Sequence, residues 1–149
     1  MQISEVMTEG VVSADADASL GDVAALMRDS NVGSVIILDG DRPIAMITDR
    51  DIALTVGADG VDRSQKVKLY AASPLVTGDS EMTVEEAAAH MVQNRVRRLP
   101  ILDGDGTLAG IVTLDDLAVR TGDLEMSQHI TSQVAKAALP DYFFHQRGG

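Results

Sequence analysis

The sequence predicts a mixed fold of the α+β (α/β) class: two pseudo-twofold-related β-α-β-β-α repeats packed sheet to sheet. Three observations carry this expectation. The pentapeptide ILDGD occurs at 37–41 and again at 101–105, an offset of 64. Read outward from it, apolar positions coincide: Val12 falls on Val76, Ala24 and Ala25 on Ala88 and Ala89, Met27 on Met91, Val32 on Val96. Each copy then closes on Thr-x-x-Asp, as Thr48 to Asp51 in ITDRDI and Thr113 to Asp116 in VTLDDL. Self-similarity at a fixed period marks one supersecondary unit written more than once.

The elements follow in the same order in both copies. Ile3 and Val6 lead the first and match Val67 and Tyr70 in the second. After the apolar VVSA (Val11 to Ala14), Ser19 and Asp22 in SLGD read as a helix start, with Ser as N-cap and an acid three positions on. TVEE at Thr83 to Glu86 is the fuller version in the second copy. Leu20, Val23, Leu26 and Met27 fall on one helical face, as do Val84, Ala87, Ala88 and Met91. Two apolar runs, Val35 to Leu38 and Ile44 to Ile47, flank Asp39-Gly40 and read as a hairpin. Ile101-Leu102 and Leu108 to Val112 repeat it around DGDG, Asp103 to Gly106. That stretch resembles part of a calcium loop, but its place between two strands favours a turn. Thr-x-x-Asp then opens a short helix, expected at Ile52 to Val56 and at Leu117 to Arg120. The resulting organisation is repeat one at 2–54, a polar Gly-bearing linker at 55–65, repeat two at 66–121, and a tail at 122–149. A unit of about 55 residues has a marginal core by itself, so the two copies are expected to share one.

Composition excludes several functions. The chain of 149 residues is 45% apolar and 23% charged, ordinary for a globular protein. No apolar run approaches the roughly 20 residues of a membrane span. MQISEVMTEG lacks a basic and an apolar leader segment, so cytoplasmic residence and no membrane partner are expected. With no cysteines, disulfides, thiolate chemistry and Cys-based zinc sites are ruled out. A net charge of −11 argues against nucleic acid as a partner, because phosphate neutralisation needs Lys and Arg. One local basic cluster remains, Arg95, Arg97 and Arg98 in NRVRRLP. His90 takes the place of Leu26 in the first copy, which suits packing better than ligation, and neither His129 nor His145 completes a metal-binding spacing. No nucleophile elbow or phosphate-binding glycine loop occurs, so no catalytic or metal residue is assigned and no enzyme activity is expected.

A β-α-β-β-α unit in tandem, carrying VMTEGVV, SLGDVAALM, VIILDGDRPIAMIT and RRLPILDGDGTLAGIVTLDD, resembles the cystathionine-beta-synthase (CBS) domain pair, or Bateman module. The resemblance implies a regulatory, non-catalytic module, often a homodimer, that takes an adenosine-containing ligand in clefts between its repeats. The candidates are AMP, ADP, ATP or S-adenosylmethionine, with no cofactor required. One departure is visible: a Gly that usually precedes the last strand's apolar residues is Gly110 in copy two but Ala45 in copy one. If a ligand ring approaches that backbone, the methyl narrows the first cleft.

Thr-x-x-Asp has a local explanation, since Thr48 and Thr113 can cap a helix with Asp51 and Asp116 near its positive end. The resemblance adds a second. Thr48 and Thr113 would touch phosphate or ribose, Asp51 and Asp116 hold ribose, and the strands bearing Val12 and Val76 sandwich adenine. Arg50 lies inside the first motif as a phosphate partner, whereas Asp115 in the second would repel phosphate by about 4 kcal/mol at 4 Å. Arg97 and Arg98 stand where related modules often carry a His-Arg pair directed at phosphates. The expectation is therefore a mononucleotide such as AMP at the Thr48, Arg50 and Asp51 corner, with Arg98 serving either.

In the tail, Leu124, Ile130, Val134 and Ala138 predict a helix with one apolar stripe, ended by Pro140. Tyr142, Phe143 and Phe144 form an aromatic cluster that either folds back or anchors a second subunit or an unidentified protein target. The alternative to ligand sensing is a constitutive homodimeric protein-interaction adaptor whose clefts are unoccupied.

Overall fold

The computed structural model describes residues 1–121 and, beyond them, Gln128 and Ser132. The tail helix, the aromatic cluster at 142–144, His129 and His145 lie outside the described residues.

Side-chain caps set the helix starts. Ser19 accepts from the Asp22 N–H and starts α1, Leu20–Ser30. Thr83 and Glu86 exchange reciprocal bonds at the start of α3, Val84–Asn94. Both helices end alike. Asn31 and Arg95 adopt left-handed backbone, at φ 54° and 57°. The next N–H then reaches back five residues, Val32 to the Met27 carbonyl and Val96 to the Met91 carbonyl, each at 3.0 Å. This is a Schellman ending, with Val32 and Val96 packed against the cores of their units. Arg95 is thus the residue that terminates α3, and carries more strain there than Asn31 does.

The strands form two three-stranded sheets. In the first, β2 (Ser34–Asp39) lies between β1 (Ser13–Asp15) and β3 (Arg42–Thr48). β1 runs parallel to β2, and β3 antiparallel, pairing Ile36 with Met46. Gly40, at φ 61°, makes the hairpin turn that Asp39-Gly40 predicts. In the second sheet β5 (Arg98–Leu102) lies between the short β4 (Gly78–Asp79) and β6 (Leu108–Thr113), and the DGDG stretch is the β5–β6 turn. β3 leads into α2, Asp49–Ile52, which widens into a π-helical turn at Ala53–Ala58. β6 leads into α4, Leu114–Thr121. Both helices start directly after the motif's Thr, three residues earlier than expected, because that Thr is the N-cap itself.

The chain forms two compact units, and the leading segments of the copies are exchanged between them. One unit is Gly10–Leu75 with Gly106–Leu108; the other is Met1–Glu9 and Val76–Asp105 with the described residues from Ala109 on. In the unit built on the second sheet, Ile3 and Val6 are fully buried with Val84, Met91, Leu99, Ile101 and Leu117. The Ile3 N–H donates to the Met82 carbonyl and the Val84 N–H to that of Met1, at 2.8 and 3.0 Å. In the unit built on the first sheet, Val67 is buried with Leu20, Val23, Ile37 and Ile47, and Tyr70 packs against them. The Val67 N–H donates to the Ala18 carbonyl and the Leu20 N–H to that of Gln65, at 2.8 and 2.9 Å. The two sets of bonds correspond residue for residue. The stretch before Val67 is not a loose tether, since the Gly21 N–H donates to the Arg63 carbonyl at 2.9 Å. Lys66 and Lys68 both reach Asp17, at 3.3 and 3.0 Å, and Lys68 foremost, then Lys66, holds that carboxyl below its ordinary range.

Among the described residues no helix is long and apolar enough to cross a membrane.

Because Ile3 is fully buried and Met1 is 62% exposed, the two should respond differently to truncation. Ile3→Ala should cost about 2–5 kcal/mol through lost burial and the cavity left behind, and Met1 replacements under about 0.5 kcal/mol. Urea unfolding of both variants measures this; equal midpoints would show that the leading segment does not belong to that core.

Candidate functional site

The two strand-to-helix corners share a frame and differ in content. At the first, the Thr48 N–H donates to Asp51 Oδ2 (2.9 Å) and the Asp51 N–H to Thr48 Oγ1 (3.2 Å). At the second, the Thr113 N–H donates to Asp116 Oδ2 (3.0 Å) and the Asp116 N–H to Thr113 Oγ1 (3.1 Å). These are reciprocal capping boxes, so the local explanation of Thr-x-x-Asp holds in both copies. A carboxylate has about four acceptor sites, so one cap bond leaves each Asp able to accept more.

The residues between Thr and Asp separate the corners. In the first, the Asp49 N–H donates to the Gly33 carbonyl (2.9 Å) and the Arg50 N–H to Asp49 Oδ1 (2.8 Å). Every amide from 48 to 51 therefore has an acceptor within the protein. The Asp49 carboxylate also fills the space beside Gly33: a Cβ added there would meet Asp49 Oδ2 at 3.3 Å. A phosphate arriving here would find no uncommitted amide in the first turn and a carboxylate already seated.

In the second corner Arg97 stands at the position of Gly33, Arg98 at that of Ser34, Leu114 at that of Asp49 and Asp115 at that of Arg50. The backbone bond persists, from the Leu114 N–H to the Arg97 carbonyl (3.3 Å). Leucine offers no acceptor, however, so the Asp115 amide lacks the partner that Asp49 gives Arg50. Here a pocket of about 290 Å³ opens, lined by Arg97, Arg98, Thr113, Leu114 and Asp115. That volume is at the lower end of small-molecule sites.

Of the residues singled out from sequence, the structure brings Arg97, Arg98 and Thr113 together in one pocket. Asp116 stands just behind, bonded to Thr113. Thr48, Arg50 and Asp51 form their own corner in the other unit. Val12 and Val76 are half-buried against the cores of their respective units. The sequence places the mononucleotide at the first corner; this pocket lies at the second. What sequence reasoning passed over was the pairing of Gly33 with Asp49. Comparing positions 33 and 49 with 97 and 114 across the internal repeat would have exposed it.

Gly110 has a different reason from close approach of a ligand ring. A Cβ there would meet Met7 Sδ and the Thr8 carbonyl, both at 2.8 Å. Thr8 and Ile111 exchange backbone bonds at 2.9 and 3.0 Å, so the exchanged segment presses on β6 itself.

His90 is structural. Its Nε2 lies 2.9 Å from the Thr77 carbonyl and its Nδ1 3.2 Å from Asn94 Nδ2, both satisfied by the Nε2–H tautomer. Among the described residues no group of three acidic or histidine side chains is gathered to hold a metal.

The CBS domain family model matches residues 3–57 and 67–120. The chain is 38% identical over 117 residues to the CBS domain-containing protein YhcV of Bacillus subtilis, across 78% of this chain and 83% of that one. A solved CBS domain protein from Pyrobaculum aerophilum, complexed with AMP, is similar at TM-score 0.74 and 26% identity over 86% of this chain and 99% of that one. A hexameric CBS-CP12 protein from bloom-forming cyanobacteria is similar at TM-score 0.70 and 30% identity, over 84% of this chain and 73% of that one.

The capping boxes predict a matched pair of stability effects. Thr48→Ala and Thr113→Ala should each cost about 0.5–2 kcal/mol, and Thr→Ser at either position much less. Urea unfolding at neutral pH reads this directly. A wild-type midpoint in both alanine variants would refute the capping role.

Proposed function

The chain belongs to the CBS domain family, whose paired domains are regulatory and non-catalytic, and on that premise we propose that it senses an adenosine-containing ligand of the AMP, ADP or ATP class. It signals by a change of conformation or of oligomeric state. The observation that carries this reading is the Arg97–Arg98–Thr113 pocket. Guanidinium groups stay charged at any working pH and match phosphate oxygens in pairs, and the Thr113 hydroxyl adds a neutral partner beside them. Asp116, with acceptor capacity beyond its cap, takes ribose hydroxyls, and Val76 flanks adenine. Thr48, Arg50, Asp51 and Val12 form the corresponding set in the first copy and take a ligand more weakly. The solved relative complexed with AMP supports the ligand class. The working assembly in this proposal is a cytoplasmic homodimer that acts on a protein target.

A ligand shifts a regulatory equilibrium only by its differential affinity for two states. The exchanged segment offers a route by which one could be read. β6 carries Thr113 at its end and binds Thr8 at Ile111, so a ligand that displaces Thr113 tugs on the segment holding Ile3 and Val6.

Titration calorimetry with AMP, ADP, ATP and S-adenosylmethionine tests the assignment. Arg98→Ala should weaken AMP about tenfold or more, since a hydrogen bond to a charged group contributes roughly 1.5–3 kcal/mol, while Asp51→Ala should change it less. Equal AMP heats from wild type and Arg98→Ala would overturn the site. A flat thermal-shift screen of all four ligands would favour the homodimeric adaptor, because any tight ligand raises the melting temperature by mass action.

A further inference from the structure

Asp115 is the feature of the pocket that its proposed function does not use. We infer that Asp115 determines specificity by limiting the negative charge the pocket accepts, admitting a single phosphate group in preference to di- and triphosphate chains. The inference rests on reading the Arg97–Arg98 pocket as the ligand's anion site.

The walls of the pocket carry two guanidinium groups and one carboxylate, with Thr113 and Leu114 uncharged between them. Among the described residues no ion pair joins Asp115 to either arginine. The carboxylate therefore shares the pocket with the two guanidiniums without a direct pair to either. The pocket is small, about 290 Å³, so a phosphate held by the arginines is also near Asp115, well inside the screening length of about 8–10 Å at ordinary ionic strength.

Repulsion grows in proportion to the charge brought in, so one residue grades ligands by phosphate number. A single phosphate balances the two arginines and leaves little net repulsion. Each further phosphate adds negative charge against a wall that, among the described residues, holds no third cation. Uncharged adenosine is indifferent to the residue. The first copy carries Arg50 at the same place in its motif, so the two corners have opposite charge at the position that follows the helix's first residue.

Asp115 is exposed and takes no part in the Thr113–Asp116 cap, so Asp115→Asn keeps both cap bonds and is expected to fold. The probes are inorganic phosphate, pyrophosphate and tripolyphosphate, followed by AMP and ATP, titrated into wild type and Asp115→Asn by calorimetry, with unfolding midpoints recorded alongside. In Asp115→Asn the tripolyphosphate-to-phosphate affinity ratio should rise about tenfold, and the ATP-to-AMP ratio with it. Asp115→Glu should restore the wild-type ratios, and Asp115→Arg should raise them further. Affinity changing by the same factor for every probe, or no anion binding by any of the proteins, overturns the inference. If the inorganic series responds while AMP and ATP bind neither protein, charge selection stands and the adenosine reading is what fails.

Discussion

Each chain crossing from a final strand into a short helix leaves backbone N–H groups with no helical partner, and buried or half-buried amides must be satisfied. The rest of this structure depends on how the two copies meet that demand. Both use the same reciprocal bonds between Thr and Asp. The residues in between are free to vary, and the first copy uses them to close the corner: the Asp49 carboxylate takes the Arg50 amide and rests against Gly33. The second copy replaces the acid by Leu114 and the glycine by Arg97, and leaves a pocket with two guanidiniums. One backbone frame thus carries a first corner whose amides are all bonded within the protein and a second corner lined by two guanidiniums.

The exchange of leading segments follows from an equally plain requirement. A three-stranded sheet with one long helix leaves an uncovered patch of core, and a short apolar turn can cover it. Ile3 and Val6 do so in the unit of the second sheet, and Val67 and Tyr70 in that of the first. Gly110 records the cost of this arrangement in the second unit, where Met7 and Thr8 leave no space for a Cβ. Ala45 stands at the same place in the first copy and is itself buried, next to Met46, whose backbone exchanges bonds with Ala72. Glycine at 110 is a packing requirement of the chain on itself.

Most of the fold was legible because it is written in local patterns. Ser19, Thr83 and the two Thr-x-x-Asp motifs announce helix starts within four residues, and Asp39-Gly40 announces its hairpin. The destination of residues 1–9 was not legible. An apolar pair at Ile3 and Val6 looks the same whichever core receives it, and nothing in the nearby sequence distinguishes its own sheet from the other. The corner chemistry was half legible. Arg97 and Arg98 stand out as local charge in an acidic chain, and the acid at 115 opposite Arg50 of the first copy can be read from its place in the motif. The closing of the first corner could not be read the same way, because Gly33 and Asp49 lie sixteen positions apart in sequence and meet only when β2 and β3 pair.

Divergence of this kind is what a tandem repeat permits and a single domain does not. If both corners had to bind, substitutions that remove an amide acceptor or add a charge would be constrained twice. With one corner closed by its own Asp49, the other can change its charge without disturbing the frame, since the caps at Thr113 and Asp116 are independent of positions 114 and 115. The stability of the second corner is then carried by groups distinct from those that set its electrostatics. The charge at position 115 can change by one side chain while the strand, the cap and the exchanged segment bonded at Ile111 stay where they are.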